Sequence, residues 1–257
     1  MQNPRVKNLV RLRDGGYRRR RKRFLIEGLR EISRALACRW PLETIFFCEE
    51  AFTGEAAFEL LHEAEAAGLE LVRLAPDPFA KCAYRQGPDG LLATGIQKTT
   101  TLREFILPPD PLVVILESIE KPGNLGAIFR AANAAGADAL VLAESVTDPY
   151  NPNTIRASQG AFFQVPFASC DNAEAFVFLE EAGLNPVLTS PSAGKTLWEA
   201  DLRGPTALVL GSEDTGLSAD WLETFPSYRI PMRGLTDSLN VASTAAVALF
   251  EAVRQRQ

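Results

Sequence analysis

The chain has almost no histidine and few cysteines, and this scarcity excludes several kinds of chemistry. Its single histidine, His62, falls in a predicted surface helix (54–67), so a serine–histidine hydrolase would have no base. The four cysteines lie far apart and form no CxxC pair: Cys38, Cys48, Cys82 and Cys170. This spacing favours reduced thiols over a zinc site or a disulfide framework, and we expect no bound metal.

Long apolar runs and nucleotide-binding glycine motifs are also missing. No run of 18 apolar residues and no signal-peptide pattern occurs, which predicts a cytoplasmic protein without a membrane segment. No GxGxxG follows a predicted strand, which argues against a dinucleotide enzyme or methyltransferase of the Rossmann type. SPSAGKT (190–196) ends like a phosphate-binding loop, but Thr189 stands where the first glycine belongs, which argues against nucleotide hydrolysis.

What the sequence does have is a very uneven distribution of charge. Residues 1–23 carry +9 in a chain whose formal total is −5, which leaves −14 for the rest. A basic arm on an acidic body predicts a polyanionic partner, such as RNA, held at one end. The densest cluster supplies the candidate RNA-binding residues: Arg18, Arg19, Arg20, Arg21, Lys22 and Arg23. The alternative is a solvated basic helix without a partner.

The pattern of apolar runs predicts two αβ domains with a boundary near residue 105. Short apolar runs such as FLIEG and GLLATGI alternate with helical stretches in the first part of the chain. Clustered prolines in LPPDP (107–111) then interrupt regular structure. We therefore assign residues 1–105 to the arm and a first domain, and residues 106–257 to a second domain.

The second domain is predicted to contain a mostly parallel sheet. Continuous apolar strands such as LVVILESI, ALVLAES and TALVLGSE alternate with helices near 125–135, near 171–183 and at the C-terminus, with a loop predicted after ALVLAES. Strands that are apolar on both faces are typical of a parallel sheet covered by helices on both sides.

Polar residues at the predicted strand ends of this second domain form a candidate site. They are Asn124 and Arg130 on the first helix, Glu213 after TALVLG, and Ser238 with Asn240 at the last helix. In open α/β sheets, ligands bind beyond the carboxyl ends of the strands, so these residues are expected to share one crevice. Each also has a plainer interpretation: Arg130 as a salt-bridge residue, Glu213 as a turn residue, and Asp237 or Ser238 as a helix cap.

Four stretches, in this order, resemble the motif blocks of the SpoU/TrmH family of SPOUT RNA 2'-O-ribose methyltransferases. They are KPGNLGAIFRAANAAGAD, DPYNPNTIRASQGAFFQVP, LVLGSEDTGLS and IPMRGLTDSLNVASTAAVALFEAVRQ. The resemblance covers essentially all of residues 112–257. The segment VKNLVRLRDGGYRRRRKRFLIEGLREI resembles, more loosely, the small RNA-binding domain that many members carry in front, which is akin to kink-turn-binding ribosomal proteins.

The resemblance implies a fold, a cofactor and an assembly. It implies a small N-terminal αβ RNA-binding domain, then a SPOUT α/β domain with a C-terminal trefoil knot that binds S-adenosylmethionine, in a homodimer. Its motif positions imply these cofactor-binding residues: Gly211, Ile230, Leu239, Thr189 and Met232, with Ser238 nearby. The implied reaction transfers a methyl group to a ribose 2'-hydroxyl of RNA; we expect ribosomal RNA as the substrate, with transfer RNA as the alternative.

The resemblance also assigns roles to the candidate catalytic residues. It makes Arg130 the central one. Because a guanidinium does not deprotonate in proteins, we expect Arg130 to bind a phosphate and stabilise a developing alkoxide rather than to act as a base. Asn124 would orient Arg130, and Glu213 or solvent would take the proton. Ser238 and Asn240 complete the set.

Three departures from the family pattern and two rival functions accompany this interpretation. Lys121 replaces a frequent acid, Asn153 a frequent lysine and Asp214 a usual glycine, which puts RNA contacts and one turn in doubt. One rival is a catalytically silent RNA-binding or ribosome-assembly protein with the same fold. The other, methylation of a base carbon through cysteine attack, is disfavoured because no cysteine falls in a motif block.

Overall fold

A computed structural model describes residues 4–257, and the chain divides by its internal contacts into two units. The N-terminal unit consists of the chain through Lys98 together with Asp148–Gln164. The C-terminal unit consists of Thr99–Thr147 and Val165–Gln257. Residues 1–3 of the predicted basic arm lie outside the described part.

The N-terminal unit is built on a four-stranded sheet with the strand order β1-β4-β2-β3, in which only the β2–β3 pair is parallel. Its strands are β1 (Arg23–Glu27), β2 (Leu42–Phe47), β3 (Glu70–Arg73) and β4 (Leu91–Ile96). Its helices are α1 (Pro4–Arg11), α2 (Gly15–Arg21), α3 (Leu29–Ala37), α4 (Ala56–Ala66), α5 (Pro76–Cys82) and α7 (Pro152–Ser158).

The basic arm is folded into this unit. Val6, Leu9 and Leu12 are buried, at 2%, 0% and 0% exposure, and join a core cluster that also contains Leu25 and Phe79. The arginines of α1 and α2 therefore lie on an amphipathic surface whose other face is part of the core.

The segment between the second and third strands of the C-terminal unit belongs to the N-terminal unit. It was predicted as a loop, and that prediction is wrong: it contains α7, a short 3-10 helix (Ala161–Phe163) and buried aromatic rings. Tyr150 lies 4.9 Å, centroid to centroid, from Phe24 of β1, and Phe162 lies 5.5 Å from Trp40. These contacts with residues distant in sequence fix the segment, whose only local signal is the helix start at Asn151 and Pro152.

The C-terminal unit contains a seven-stranded parallel sheet with the order β7-β6-β5-β10-β8-β11-β9. Its strands are β5 (Leu112–Glu117), β6 (Ala139–Ala143), β7 (Phe167–Cys170), β8 (Asn185–Thr189), β9 (Lys195–Thr196), β10 (Thr206–Leu210) and β11 (Ser227–Arg229). Its helices are α6 (Pro122–Ala135), α8 (Asn172–Glu181), α9 (Ala219–Thr224) and α10 (Val241–Gln255). Every residue of β5, β6 and β10 is buried, as the parallel-sheet prediction requires.

Helix α6 carries start and stop signals that its sequence already contains. Pro122 occupies the first turn, where a missing N–H costs no helical hydrogen bond. Gly136 follows the helix with φ 72°, a left-handed conformation that glycine adopts without a steric penalty. The helix packs against α10, so both lie on the same side of the sheet. No helix in the described part of the chain is long and apolar enough to cross a membrane.

Candidate active site

The candidate site lies where the strand order of the parallel sheet changes direction. From β5 the chain proceeds to β6 on one side of the sheet, whereas from β10 it proceeds to β11 on the other side. β5 and β10 are neighbours, so the segments that leave their carboxyl ends diverge and open a crevice between them. Crevices of this kind are the usual ligand sites of open α/β sheets. α6 follows β5, and the loop 211–217 follows β10.

A chain of hydrogen bonds joins three of the predicted site residues. The Asn124 side chain donates from Nδ2 to Glu213 Oε1 at 2.6 Å and accepts at Oδ1 from Asn240 Nδ2 at 3.2 Å. Asn240 Oδ1 in turn accepts from the backbone N–H of Ala242 at 3.0 Å. In Asn124 and in Asn240, both the amide oxygen and the amide nitrogen have a hydrogen-bond partner, so the orientation of each amide is fixed. Glu213 is held by its bond to Asn124.

Glu213 is held at the amino end of α6 as an anion. Besides Asn124, it accepts from the backbone N–H groups of Glu120, at 3.3 Å, and Lys121. Burial alone would raise the pKa of Glu213, but these hydrogen bonds outweigh burial and lower it. A carboxylate with a lowered pKa is a poor proton acceptor near neutral pH, so the geometry favours a positioning role for Glu213 over that of a base.

Asn240, and not Asp237 or Ser238, caps the last helix. Its side chain accepts from Ala242 N, and α10 begins at Val241. The cap predicted from the sequence was therefore wrong by two or three residues. This arrangement gives Asn240 two tasks, because the amide that caps the helix also contacts Asn124. Ser238 is exposed and lines the cavity described next.

A cavity of about 1070 Å³ opens beside this hydrogen-bond chain at the ends of β8, β10 and β11. Its lining includes all of the predicted cofactor residues and three predicted catalytic residues: Thr189, Gly211, Ile230, Met232, Leu239, Glu213, Ser238 and Asn240. The volume is large enough for a drug-sized cofactor with a second group beside it. Asn124 does not line the cavity but hydrogen-bonds to two residues that do.

Gly211 is required by the backbone of the loop that follows β10, because a residue without a Cβ allows other main-chain atoms to come close. In the structure, a Cβ on Gly211 would come within 3 Å of backbone atoms of Gly216 and Leu217. The loop after β10 closes back on itself through backbone hydrogen bonds between Ser212 and Gly216, and only glycine fits beneath it.

The Asp214 departure leaves this turn intact. The residue with positive φ in the loop is Gly216, at 71°, whereas Asp214 has no positive φ. Thr215 N donates to Ser212 Oγ at 3.1 Å and braces the turn from within. An aspartate is therefore compatible with the backbone at position 214, where its side chain lines the cavity.

Arg130 is not brought into this cavity. It lies six residues beyond Asn124 on α6, which in an α-helix is about 9 Å along the axis and about 120° around it. It is exposed and makes no hydrogen bond or ion pair with any residue in the range 4–257. Within this chain Asn124 makes no contact with Arg130, and its amide hydrogen-bonds to Glu213 and Asn240.

The predicted RNA-binding residues divide into two groups. Arg18 is only 2% exposed: it donates from Nε to Asp148 Oδ2 at 2.8 Å and from Nη1 to the carbonyls of Leu12 and Arg13. Arg18 is therefore a structural residue, which corrects the prediction. Arg23 is half-buried and pairs with Glu43. The remaining four are exposed and have no acidic partner among the described residues: Arg19, Arg20, Arg21 and Lys22.

Sequence reasoning missed several residues that line the cavity. Ser190, Pro191 and Ser192 form its wall after β8, although SPSAGKT was considered only as a failed phosphate-binding loop. The signal was a small-residue loop directly after a buried strand. Lys121, noted only as a departure, also lines the cavity. Among residues 4–257, no group of three His, Cys, Asp or Glu side chains is placed to hold a metal ion.

Comparison with known proteins gives consistent matches over the whole chain. Residues 111–250 match the model of the SpoU rRNA methylase family, and residues 3–93 match that of the MRM3-like substrate-binding domain. A protein of Synechocystis sp. described as an uncharacterized tRNA/rRNA methyltransferase is 34% identical, over 99% of this chain and 92% of its own. The 23S rRNA (uridine(2479)-2'-O)-methyltransferase of Streptomyces viridochromogenes is 32% identical, over 94% of this chain and 87% of its own.

A solved structure matches as well. The SpoU methyltransferase AviRb from Streptomyces viridochromogenes, in complex with the cofactor AdoMet, superposes with a TM-score of 0.90 at 30% identity. The match covers 99% of this chain and 98% of that one.

Proposed function

The chain belongs to the SpoU rRNA methylase family, and from that premise we propose that it transfers a methyl group from S-adenosylmethionine to a ribose 2'-hydroxyl of ribosomal RNA. The observation that carries the proposal is the Glu213–Asn124–Asn240 hydrogen-bond chain beside a cavity lined by every predicted cofactor residue. A relative of similar length is named for 2'-O-methylation of 23S rRNA, and a similar structure holds AdoMet.

The cavity fits the cofactor in its size and lining. It combines apolar side chains such as Ile230, Met232 and Leu239 with backbone groups of the loop that follows Gly211. The lining surface is polar and apolar in nearly equal parts, so the pocket can hold both the apolar and the charged parts of a small cofactor. When bound, S-adenosylmethionine supplies a methyl group on a positively charged sulfur that departs as a neutral thioether, so alignment provides much of the rate.

Residues of the chain position the site, and solvent receives the proton of the ribose hydroxyl. Asn240 presents its amide at the cavity wall, Asn124 fixes that amide, and Glu213 fixes Asn124 while remaining ionised. Ser238 lines the same wall and can contact the ribose hydroxyl. Solvent takes the proton of the hydroxyl, because the pKa of Glu213 is lowered and no histidine belongs to the C-terminal unit.

We further propose that the protein acts as a homodimer in which Arg130 of one copy serves the cavity of the other. Arg130 lies outside the cavity of its own chain, is exposed and is unpaired within residues 4–257. Helix α10, which packs on the Arg130 helix, exposes half of Phe250 together with part of Val247 and Val253. Such an apolar strip on a surface helix suits a second packing partner. In the cavity of the second copy, Arg130 would bind the phosphate next to the target ribose.

Four further assignments belong to the same proposal. Residues 1–105 act as the RNA-binding part and residues 106–257 as the methyltransferase part, apart from Asp148–Gln164, which folds with the N-terminal unit. The C-terminal residues form the trefoil knot that the family resemblance implies. The protein acts in the cytoplasm, where ribosomal RNA is assembled into ribosomes. Cysteine-based methylation of a base is disfavoured, because burial and neighbouring acids raise the pKa of Cys170 to about 12 and that of Cys82, by burial, to about 11.

The proposal is tested with purified protein, methyl-labelled S-adenosylmethionine and ribosomal RNA from cells that lack the protein. A 2'-O-methyl group blocks alkaline cleavage of the adjacent phosphodiester, so the label should be recovered in an alkali-resistant dinucleotide. Label recovered in a base would contradict the proposal. Cofactor binding without any transfer to ribosomal RNA would instead support the silent RNA-binding alternative.

A further inference from the structure

Two arginines from different helices of the basic arm lie against one tyrosine ring. The guanidinium carbon of Arg11, at the end of α1, is 4.3 Å from the centroid of the Tyr17 ring. The guanidinium carbon of Arg20, on α2, is 5.3 Å from the same centroid. Both distances are within the range of a cation–π contact, so the two guanidinium carbons lie within about 10 Å of each other around one ring.

The tyrosine ring is held in place from both ends. Its hydroxyl donates to Asn8 Oδ1 of α1 at 2.6 Å, and its backbone N–H donates to Asp14 Oδ1, the cap of α2, at 2.7 Å. The ring also packs against the core cluster that contains Leu9 and Leu12. The two arginines are therefore positioned before any ligand binds, which reduces the entropy lost on binding.

The charge of this pair is not neutralised within the described part of the chain. Neither Arg11 nor Arg20 forms an ion pair with a carboxylate, and the nearest acid in sequence, Asp14, is engaged in capping α2. Two neighbouring positive charges repel each other. An anion bound by both would attract each of them and offset that repulsion. Guanidinium groups bind the oxygens of phosphate through paired, charge-assisted hydrogen bonds.

We propose that Arg11 and Arg20, organised by Tyr17, form a clamp for a single phosphate of the RNA backbone. The inference rests on the proposed RNA substrate and adds where and how the arm holds it. Arg19 and Arg21 on α2, and Lys22 directly after it, are exposed without a ring contact, and they contribute separate, independent charge. The clamp fixes the register of the RNA on the N-terminal unit, because it binds one backbone phosphate at a defined position.

The test is a double-mutant cycle on the binding of a fluorescein-labelled hairpin RNA to the full-length protein. If two arginines share one phosphate, the Arg11→Gln and Arg20→Gln variants should each weaken binding, and the double variant should weaken it by less than the product of the two factors. The matched cycle pairs Arg11→Gln with Arg19→Gln, where the two factors should multiply.

The salt dependence supplies a second readout. Loss of one phosphate contact should reduce the slope of log K against log salt by about 0.7 to 0.9 in the Arg11→Gln/Arg20→Gln variant, whereas two separate contacts would remove about twice that. Tyr17→Leu should abolish the coupling between the two arginines. Tyr17→Phe, which keeps the ring, should retain it.

The outcomes separate this inference from the proposed function. Multiplicative losses in the Arg11–Arg20 cycle, with intact RNA binding and methyl transfer by the parent, would overturn the clamp and leave the enzyme proposal standing. A parent protein that does not bind the hairpin RNA would overturn both. Because the arginine variants change exposed side chains, circular dichroism should show that they fold like the parent. An equal effect on binding of an acidic peptide would show that the clamp is not specific for phosphate and would also overturn it.

Discussion

At the scale of single residues, Asn124 is the one on which the site geometry depends most. It is the middle member of the Glu213–Asn124–Asn240 chain and makes no direct contact with the cavity. We expect Asn124→Ala to reduce turnover at least about a hundredfold, the scale for loss of one preorganised polar group. The affinity for S-adenosylmethionine should change little. Calorimetry and single-turnover methyl transfer measure the two quantities.

The matched control lies on the same helix. Asn133 of α6 is exposed, and its side chain makes no hydrogen bond with the described residues, so Asn133→Ala should leave both quantities unchanged. Full activity of Asn124→Ala would show that the hydrogen-bond chain has no part in positioning.

The sequence predicted the identity of the site residues better than their contacts. Asn124, Glu213 and Asn240 meet because strand ends of a parallel sheet share one edge, which is a general rule that sequence patterns can use. Which side chain each amide contacts depends on distances of less than 1 Å, which no pattern carries. The Asp237 or Ser238 cap was wrong for this reason.

At the scale of elements, the buried pair of Arg18 and Asp148 fastens α2 to the segment that precedes α7. Arg18→Gln should remove the cationic partner of the largely buried Asp148 carboxylate, which keeps only its bond from Tyr150 N, and should destabilise the protein by about 3 kcal/mol. Chemical denaturation followed by fluorescence measures the change. Arg19→Gln, on the exposed face of the same helix, should change the free energy of unfolding by less than about 0.5 kcal/mol. Equal effects of the two variants would refute the structural role of Arg18.

The loop after β10 gives a second prediction at this scale. Gly211→Ala should force the backbone of Gly216 and Leu217 to move, because the atoms that the new Cβ would meet are backbone atoms and not the end of a flexible side chain. We expect the affinity for S-adenosylmethionine to fall at least about tenfold, as expected when a cofactor-binding wall is displaced. Gly234 also lines the cavity but has open space around its Cα, so Gly234→Ala should bind the cofactor normally. Normal binding by Gly211→Ala would contradict the account of the loop.

Elements with strong internal patterns were predictable, and those fixed by distant contacts were not. β5, β6 and β10 are apolar throughout, and α6 has proline and glycine at its ends. By contrast α7 is seven residues long, and it is placed by Arg18 and by aromatic rings more than 100 residues away. β9 has only two residues, too few for any periodicity.

At the scale of the whole molecule, the proposed dimer makes a complementation prediction. Arg130→Ala should bind S-adenosylmethionine nearly as well as the parent but lose at least about a hundredfold in turnover. Mixing it with inactive Asn124→Ala should restore about a quarter of the parent activity, since half of the randomly paired dimers are mixed and each contains one complete site. Light scattering at micromolar concentration checks the assembly. Failure of the mixture, in a proven dimer that exchanges subunits, would place Arg130 in the site of its own chain.

The most direct test of the central claim is mass-spectrometric mapping of 2'-O-methyl groups in ribosomal RNA. The RNA is taken from cells with the protein, from cells without it, and from cells that carry only the Asn124→Ala chain. We expect one ribose methyl group that is present in the first sample, absent in the second and absent or strongly reduced in the third. Identical ribosomal RNA methylation in all three samples would contradict it.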